Sequence, residues 1–169
     1  DITILQHGAS VVRKYDEIIR ILNDEEELPE NWRISSNFKK LLPFLMPERI
    51  TKEYQLYHDC GKPYCLEIDD DGKRHFPNHA EVSKQVYLSI GGSEEVANLI
   101  AMDMDIHLLK TENIEEFCNR PECATLILTG ISEVHANAEM FGGFDSVSFK
   151  IKAKHLDKKL KQILKYKNL

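Results

Sequence analysis

Tyr57-His58-Asp59-Cys60-Gly61-Lys62-Pro63 lies where a predicted helix reaches its end. Gly61 and Pro63 are typical of helix termini, because glycine readily adopts the cap conformation and proline cannot continue the helix. A histidine followed by an aspartate at such an end can direct both side chains at one cation. Imidazole and carboxylate together suit Zn, Mn, Fe or Mg. Lys62, about one turn away, is placed to hold a phosphate oxygen.

Apolar residues recur at helical spacing on both sides of this stretch, which predicts an all-α fold, a compact bundle of six to eight helices. Thr51, Asn78 and Ser93 are predicted N-caps. Residues 147–151 alternate apolar and polar and give a weak strand prediction. The predicted helices cover residues 4–22, 35–45, 51–59, 78–90, 94–109, 113–118, 121–140 and 154–165.

The 169 residues predict a single domain, residues 1–169, and 42% hydrophobic residues suffice for a core. A chain that begins with Asp1 rather than Met is compatible with a domain taken from a longer protein, with a neighbouring domain as a possible partner. No apolar run is long enough to span a membrane, so we expect no membrane partner. We expect a cytoplasmic protein whose four cysteines are free, half-buried thiols rather than disulfides or a zinc site.

The charge is divided unevenly along the chain. The net charge is -6, from 28 acidic and 22 basic residues. Residues 150–169 hold eight lysines and one aspartate, a net charge of +7, so the first 149 residues carry -13. The acidic body argues against a general nucleic-acid binder. The basic C-terminal helix, residues 150–169, is either a solvated face or a contact to phosphates.

A second motif, His75-Phe76-Pro77-Asn78-His79-Ala80-Glu81-Val82-Ser83, follows an acidic loop. With residues 57–63 it resembles the HD phosphohydrolase superfamily, and in particular the HD domain that follows the catalytic head of bacterial tRNA nucleotidyltransferases. Members of that branch carry His-Asp-x-Gly-Lys-Pro, an acidic loop and then Phe-x-x-His-x-x-x-Ser/Gly. The resemblance implies an HD-type helical fold.

The family's metal ligands occur in the order His, His-Asp, Asp. By resemblance, His7, His58 and Asp59 are the first three. The fourth position departs from the family pattern, because the matching helix carries Glu133 where relatives have Asp. We expect Glu133 to be the fourth ligand, with His135 as a fallback.

Branches of the family with two metals use further histidines, and His79 matches the first of them. Asp103 and His107 stand four residues apart in a predicted helix and would share one face. They would bind a second metal or position a water. A buried hydrogen bond between Asp103 and His107 without a metal is the alternative. His75 and His155 are interpreted as surface residues.

Each remaining candidate also has a purely structural interpretation. The His58–Asp59 pair could cap a helix, and Lys62 could compensate a helix dipole. His7 could face solvent beside Gly8, and His79 could belong only to a helix start. Glu133 could be a solvated acid on a helix face.

The resemblance implies a metal-dependent phosphohydrolase, a phosphomonoesterase or phosphodiesterase. The substrate would be a nucleotide or an RNA-end phosphate. A divalent ion (Mn, Ni, Co, Fe, Zn or Mg) would supply a bound hydroxide that attacks phosphorus, with Lys62 and a histidine, His79 or His107, assisting. The alternative is a catalytically degenerate HD module that binds nucleotide or RNA or docks onto a partner domain. A third interpretation is a helical scaffold that binds no ligand.

Overall fold

Helices form most of the structure, a computed structural model that describes residues 3–169. The described residues form eight α-helices, three short 3-10 helices and one antiparallel ribbon. The prediction of an all-α fold with six to eight helices is confirmed. The α-helices are α1 (Ile4–Leu22), α2 (Glu48–Tyr57), α3 (His79–Ser89), α4 (Glu94–Ala101), α5 (Asp105–Leu108), α6 (Ile114–Cys118), α7 (Cys123–Met140) and α8 (Val147–Lys167).

The remaining elements are short. The 3-10 helices span Ser36–Phe44, Lys62–Tyr64 and Thr111–Asn113. The ribbon pairs β1 (Glu67–Ile68) with β2 (Arg74–His75), and it closes the acidic loop.

Several helix boundaries agree with the sequence pattern. Helix α1 has the predicted bounds, and the Ser93 hydroxyl accepts a hydrogen bond from the Val96 N–H at the start of α4. One predicted cap is wrong, and a second is confirmed in position but not in its hydrogen bond. Helix α2 begins at Glu48, so Thr51 lies inside it, and Asn78 stands at the start of α3 with a φ of 56° and makes no side-chain cap hydrogen bond.

The weak strand prediction at 147–151 is also wrong, because α8 already begins at Val147. The Ser146 hydroxyl accepts the Phe149 N–H and caps this helix. From Phe149 onward the buried positions follow helical rather than alternating spacing, which overrides the short alternation in the sequence. These buried positions are Phe149, Ala153, Leu156, Leu160, Ile163 and Leu164.

The predicted helix 94–109 is interrupted. It forms α4, a turn at residues 102–104, and α5. Asp103 therefore lies in the turn and His107 in α5, so the prediction that they share one helix face is wrong. The turn leaves the buried Asp103 carboxylate bonded to Tyr54 instead.

The chain divides into two units. The first comprises the described residues up to Ala9 together with Pro47–Met104, and the second comprises Ser10–Met46 and Asp105–Leu169. In the first, α4 packs against α2 and α3. Its buried apolar side chains are Ile50, Tyr54, Tyr87, Val96, Ala97, Leu99 and Ile100. The prediction of a single domain stays a prediction.

Helix α7 is the central element of the second unit and packs against α8 and α5. Most of its side chains are buried. None of the helices within residues 3–169 combines the length and the apolar character that a membrane crossing needs. All four cysteines are free thiols, with Cys118 and Cys123 buried and Cys60 and Cys65 half-buried.

Candidate metal centre

Asp59 is the centre of a cluster of nitrogen atoms in the first unit. Its side chain is 4% exposed. Oδ2 lies 3.4 Å from His58 Nε2, 3.8 Å from His7 Nε2 and 3.2 Å from Lys62 Nζ. Oδ1 lies 4.0 Å from His79 Nε2. The structure therefore brings together five of the residues that the sequence predicts for the site.

His58 is oriented by the backbone of its own helix. Its Nδ1 lies 2.7 Å from the carbonyl oxygen of Gln55, which can only accept a hydrogen bond. Nδ1 therefore carries a proton, and Nε2 faces Asp59. Metal-binding histidines are commonly held in this way, with the other ring nitrogen donating to a carbonyl.

His79 repeats the arrangement from helix α3. Its Nδ1 lies 3.2 Å from the Phe76 carbonyl oxygen and therefore carries a proton, while Nε2 faces Asp59. Its side chain is 18% exposed, against 1% for His58. His79 is therefore the more accessible of the two histidines.

His7 reaches the cluster because α1 approaches α2 closely at Gly8. A Cβ atom on Gly8 would overlap the Leu56 carbonyl oxygen and lie 2.8 Å from Leu56 Cα. With hydrogen in that place, the His7 and His58 rings come to a centroid separation of 5.4 Å. The glycine is thus a geometric requirement for bringing the first histidine to the pair.

Lys62 is fixed by the turn that follows Asp59. The Gly61 N–H donates to the Ser83 hydroxyl at 2.9 Å, and a Cβ on Gly61 would lie 2.7 Å from Ser83 Cα. This contact holds the turn against α3. The Lys62 ammonium then lies near Asp59 and 5.1 Å from the centre of the Phe76 ring.

Asp103 belongs to the same cluster through Asp59 and His79. One ligand atom from each of these three residues lies within 4.8 Å of the others. The Tyr54 hydroxyl donates to Asp103 Oδ1 at 2.6 Å, so one carboxylate oxygen is committed to a buried hydrogen bond. The predicted partnership of Asp103 with His107 is replaced by this contact with Tyr54.

The donor set fits a divalent cation. Ligand atoms of His7, His58 and Asp59 also lie within 4.8 Å of one another, so two three-residue groups share Asp59. An imidazole lone pair and a carboxylate oxygen repel unless a proton or a metal ion lies between them. Metal–ligand bonds of about 2.1 Å place neighbouring ligand atoms about 3 Å apart in an octahedral site and about 3.4 Å apart in a tetrahedral one. The histidine nitrogens lie 3.4 to 4.0 Å from the Asp59 oxygens, so a small inward movement would complete a site.

Glu133 and His107 lie in the second unit. Glu133 is half-buried on α7, and His107 is half-buried on α5. Burial lowers the pKa of His107, and the negative charge of Glu133 opposes that change. These two residues are therefore electrostatic neighbours, and their roles as fourth ligand and catalytic histidine stay predictions.

His135 is not available as the fallback ligand. It is fully buried, its Nε2 accepts the Arg33 N–H at 3.0 Å, and its Nδ1 donates to the Ile131 carbonyl at 2.8 Å. Phe149 meets the ring edge to face, at a centroid distance of 4.9 Å. Both ring nitrogens form hydrogen bonds with backbone groups, so His135 is a core residue.

The buried His135 should make the protein less stable in acid. Burial lowers its pKa from 6.5 to about 4, so the unfolded chain takes up a proton first as the pH falls. The contribution of neutral His135 to stability is fully present above pH 6.5 and declines as the pH falls toward 4. We expect the free energy of unfolding to fall by about 2 kcal/mol between pH 7 and pH 5 through this residue.

Urea unfolding at both pH values tests this expectation. His135→Gln supplies an amide oxygen to the Arg33 N–H without titrating, so its pH slope should be shallower than that of the parent chain. His155→Gln, which changes an exposed histidine, is the matched control and should keep the parent slope. Equal slopes in all three proteins would contradict the expectation.

The surface interpretation of His75 and His155 is confirmed. Both are exposed, and His75 pairs with Asp69 at 2.7 Å in the ribbon. Tyr54 is a positioning residue that the sequence did not single out, and Ser83 is the last residue of the second motif, to which the sequence assigned no role. Tyr54 stands one helical turn before His58, so the i,i+4 spacing is a signal that could have identified it.

Comparison with known proteins gives no relative on which to rest a function. No protein-family model matches the chain, and no curated protein and no solved structure matches it significantly. The resemblance to the HD superfamily therefore stays a prediction, carried mainly by residues 57–63 and 75–83.

Proposed function

We propose that the protein is a metal-dependent phosphohydrolase that acts on a nucleotide or an RNA-end phosphate. The observation that carries the proposal is the convergence of three imidazole Nε2 atoms on the buried Asp59 carboxylate. Such a set of imidazole nitrogens and one carboxylate oxygen suits a divalent transition metal. All of these donor atoms lie in the first unit.

His7, His58 and Asp59 would hold the metal ion. When bound, the ion would supply Lewis-acid activation of water and of the phosphoryl oxygen. His58 is held by Gln55 and is almost fully buried, which suits a ligand rather than a proton carrier. The preorganised donors would need little rearrangement on binding.

Lys62 and His79 are suited to contact the substrate. The Lys62 side chain is 30% exposed and ends beside Asp59, so its ammonium can bind a phosphate oxygen. His79 reaches solvent and has its Nδ1 proton held by Phe76, which leaves Nε2 to carry a proton to the leaving oxygen. Asp103, fixed by Tyr54, would orient His79 or join it in holding a second cation.

A second candidate function is a module that binds a phosphate ligand without hydrolysing it. The contact of 3.2 Å between Lys62 and Asp59 favours it, because an ammonium neutralises the carboxylate without any metal. Glu133, which stands where the family has an aspartate, also favours a binding module.

Metal content and phosphate release separate the two functions. We expect about one equivalent of divalent metal after reconstitution with Mn, Ni, Co, Mg or Zn, measured by elemental analysis. We should then detect phosphate release from 2′-, 3′- or 5′-nucleotides, or opening of 2′,3′-cyclic nucleotides to the 2′- or 3′-monophosphate. In His58→Ala, metal affinity and turnover should both fall by more than about 100-fold.

His155→Ala is the matched control, since it removes an exposed histidine from α8. It should retain metal and activity. Protein that stays metal-free and inactive but binds nucleotide would support the binding module. Turnover that persists in His58→Ala would count against the proposed metal centre.

A further inference from the structure

A groove with a volume of about 860 Å³ lies within the second unit. One wall is the exposed face of α8, and the other is the segment around Trp32, Arg33 and Asn37. Ile34 and Phe38, both buried, contribute to the lining between them. Nothing in the proposed metal chemistry uses this groove.

The groove is lined by four cationic side chains and one acidic side chain. Asp157 pairs with Lys161 at 3.3 Å. Arg33, Lys150 and Lys154 are exposed, and no acidic side chain pairs with them among residues 3–169. The surplus charge of the groove is therefore carried by these three residues.

The cations alternate with exposed apolar side chains along α8. Lys150 and Lys154 are one helical turn apart, and Val147 and Ile151 on the same wall are 71% and 50% exposed. From position 147 to position 161 the wall is about 21 Å long. Cationic and exposed apolar side chains therefore lie next to each other along this wall over several ångströms.

We propose that this groove binds the backbone of a single-stranded RNA. Lys150, Lys154 and Arg33 would contact phosphates, while Val147 and Ile151 would face riboses and bases. Single-strand binding grooves combine a cationic track with apolar or aromatic surface in this way. The concave, partly apolar lining suits a strand whose bases can turn inward, whereas a duplex keeps its bases stacked inside.

The charge of α8 favours a polyanion, and its few exposed apolar side chains favour RNA over a protein helix. The net charge of +7 over residues 150–169 produces a field that extends beyond the groove and attracts a polyanion. Only two aliphatic side chains on the α8 wall are exposed, which provides few anchors for a partner helix. Binding in this groove requires no metal, so it is independent of the proposed hydrolytic function.

Fluorescence anisotropy of a labelled 12-nucleotide oligouridine tests the proposal on the full chain in EDTA. We expect a dissociation constant on the order of 10 µM at 50 mM salt. Three phosphate contacts predict a slope of about -2 for the logarithm of the association constant against the logarithm of salt concentration. Trp32, the one tryptophan, lines the groove, and its fluorescence should change on saturation.

Two double variants remove equal charge from α8. Lys150→Gln/Lys154→Gln should weaken binding by about tenfold and reduce the slope to about -0.7. Lys158→Gln/Lys165→Gln, whose lysines are exposed but do not line the groove, should bind nearly as the parent chain does. Circular dichroism melting should show that both variants are folded.

Several outcomes would overturn the proposal. Equal losses in the two double variants would assign binding to the diffuse charge of α8. No binding at 50 mM salt would exclude an RNA groove. A polyglutamate peptide that binds more tightly than the oligonucleotide, and loses affinity in Lys150→Gln/Lys154→Gln, would assign the groove to an acidic protein partner.

Discussion

Asp59→Asn is expected to reduce divalent-metal affinity by more than about 100-fold and phosphate release to background. The Asp59 oxygens face His7, His58, His79 and Lys62 together. Asparagine keeps the shape but replaces an anionic oxygen with an amide, so the imidazoles lose the charge that balances a bound cation. Calorimetric titration with Mn²⁺ or Zn²⁺ measures the loss.

Asp70→Asn is the matched control for this substitution. Asp70 is exposed in the turn between β1 and β2, and the change removes the same charge. It should leave metal affinity and phosphate release unchanged. Asp59→Asn should still unfold cooperatively, since the Lys62 ammonium is 30% exposed and can be hydrated once its partner is gone. Unchanged metal affinity in Asp59→Asn would rule out the proposed centre.

Gly8→Ala is expected to lower the free energy of unfolding by about 3 kcal/mol. The added methyl group would overlap the Leu56 carbonyl, a backbone atom that cannot rotate away. To relieve the overlap, α1 would have to move from α2 and carry His7 away from His58. Metal affinity should therefore fall along with stability. Urea unfolding and metal titration measure the two effects separately.

Gly130→Ala provides the comparison, since it is also a glycine inside a helix. A Cβ there would meet Ile106 Cγ2 at 3.4 Å, an ordinary contact. Alanine favours helix over glycine by about 1 kcal/mol, so this variant should be neutral or more stable. Similar destabilisation in both variants would show that the close approach at Gly8 is not the cause.

Much of the fold could be predicted because its signals are local. Periodic apolar residues fix α1, and Ser93 caps α4 as its hydroxyl chemistry predicts. The errors occur where tertiary contacts override local preference. The turn at residues 102–104 places Asp103 against Tyr54, 49 positions earlier in the chain, and no local pattern around residue 103 carries that information.

The candidate site could likewise be predicted where it depends on local sequence, and not where it depends on tertiary contacts. His58 and Asp59 are adjacent in sequence, so any fold keeps them together. His79 was located by its motif, and the structure places its Nε2 against Asp59. The role of Gly8 could not be predicted, because it depends on how closely two helices cross at Leu56. For His135, the sequence could not show that backbone groups occupy both ring nitrogens.

The contact between Lys62 and Asp59 also bears on how the protein would acquire a metal. In a structural zinc site the apo chain is unfolded, so folding and metal binding are a single event. Here an ammonium from the same turn already balances the buried carboxylate. The protein would therefore stay folded without a metal ion. A cation would enter by displacing the Lys62 ammonium from Asp59. Metal identity would then depend on which ion the surroundings supply.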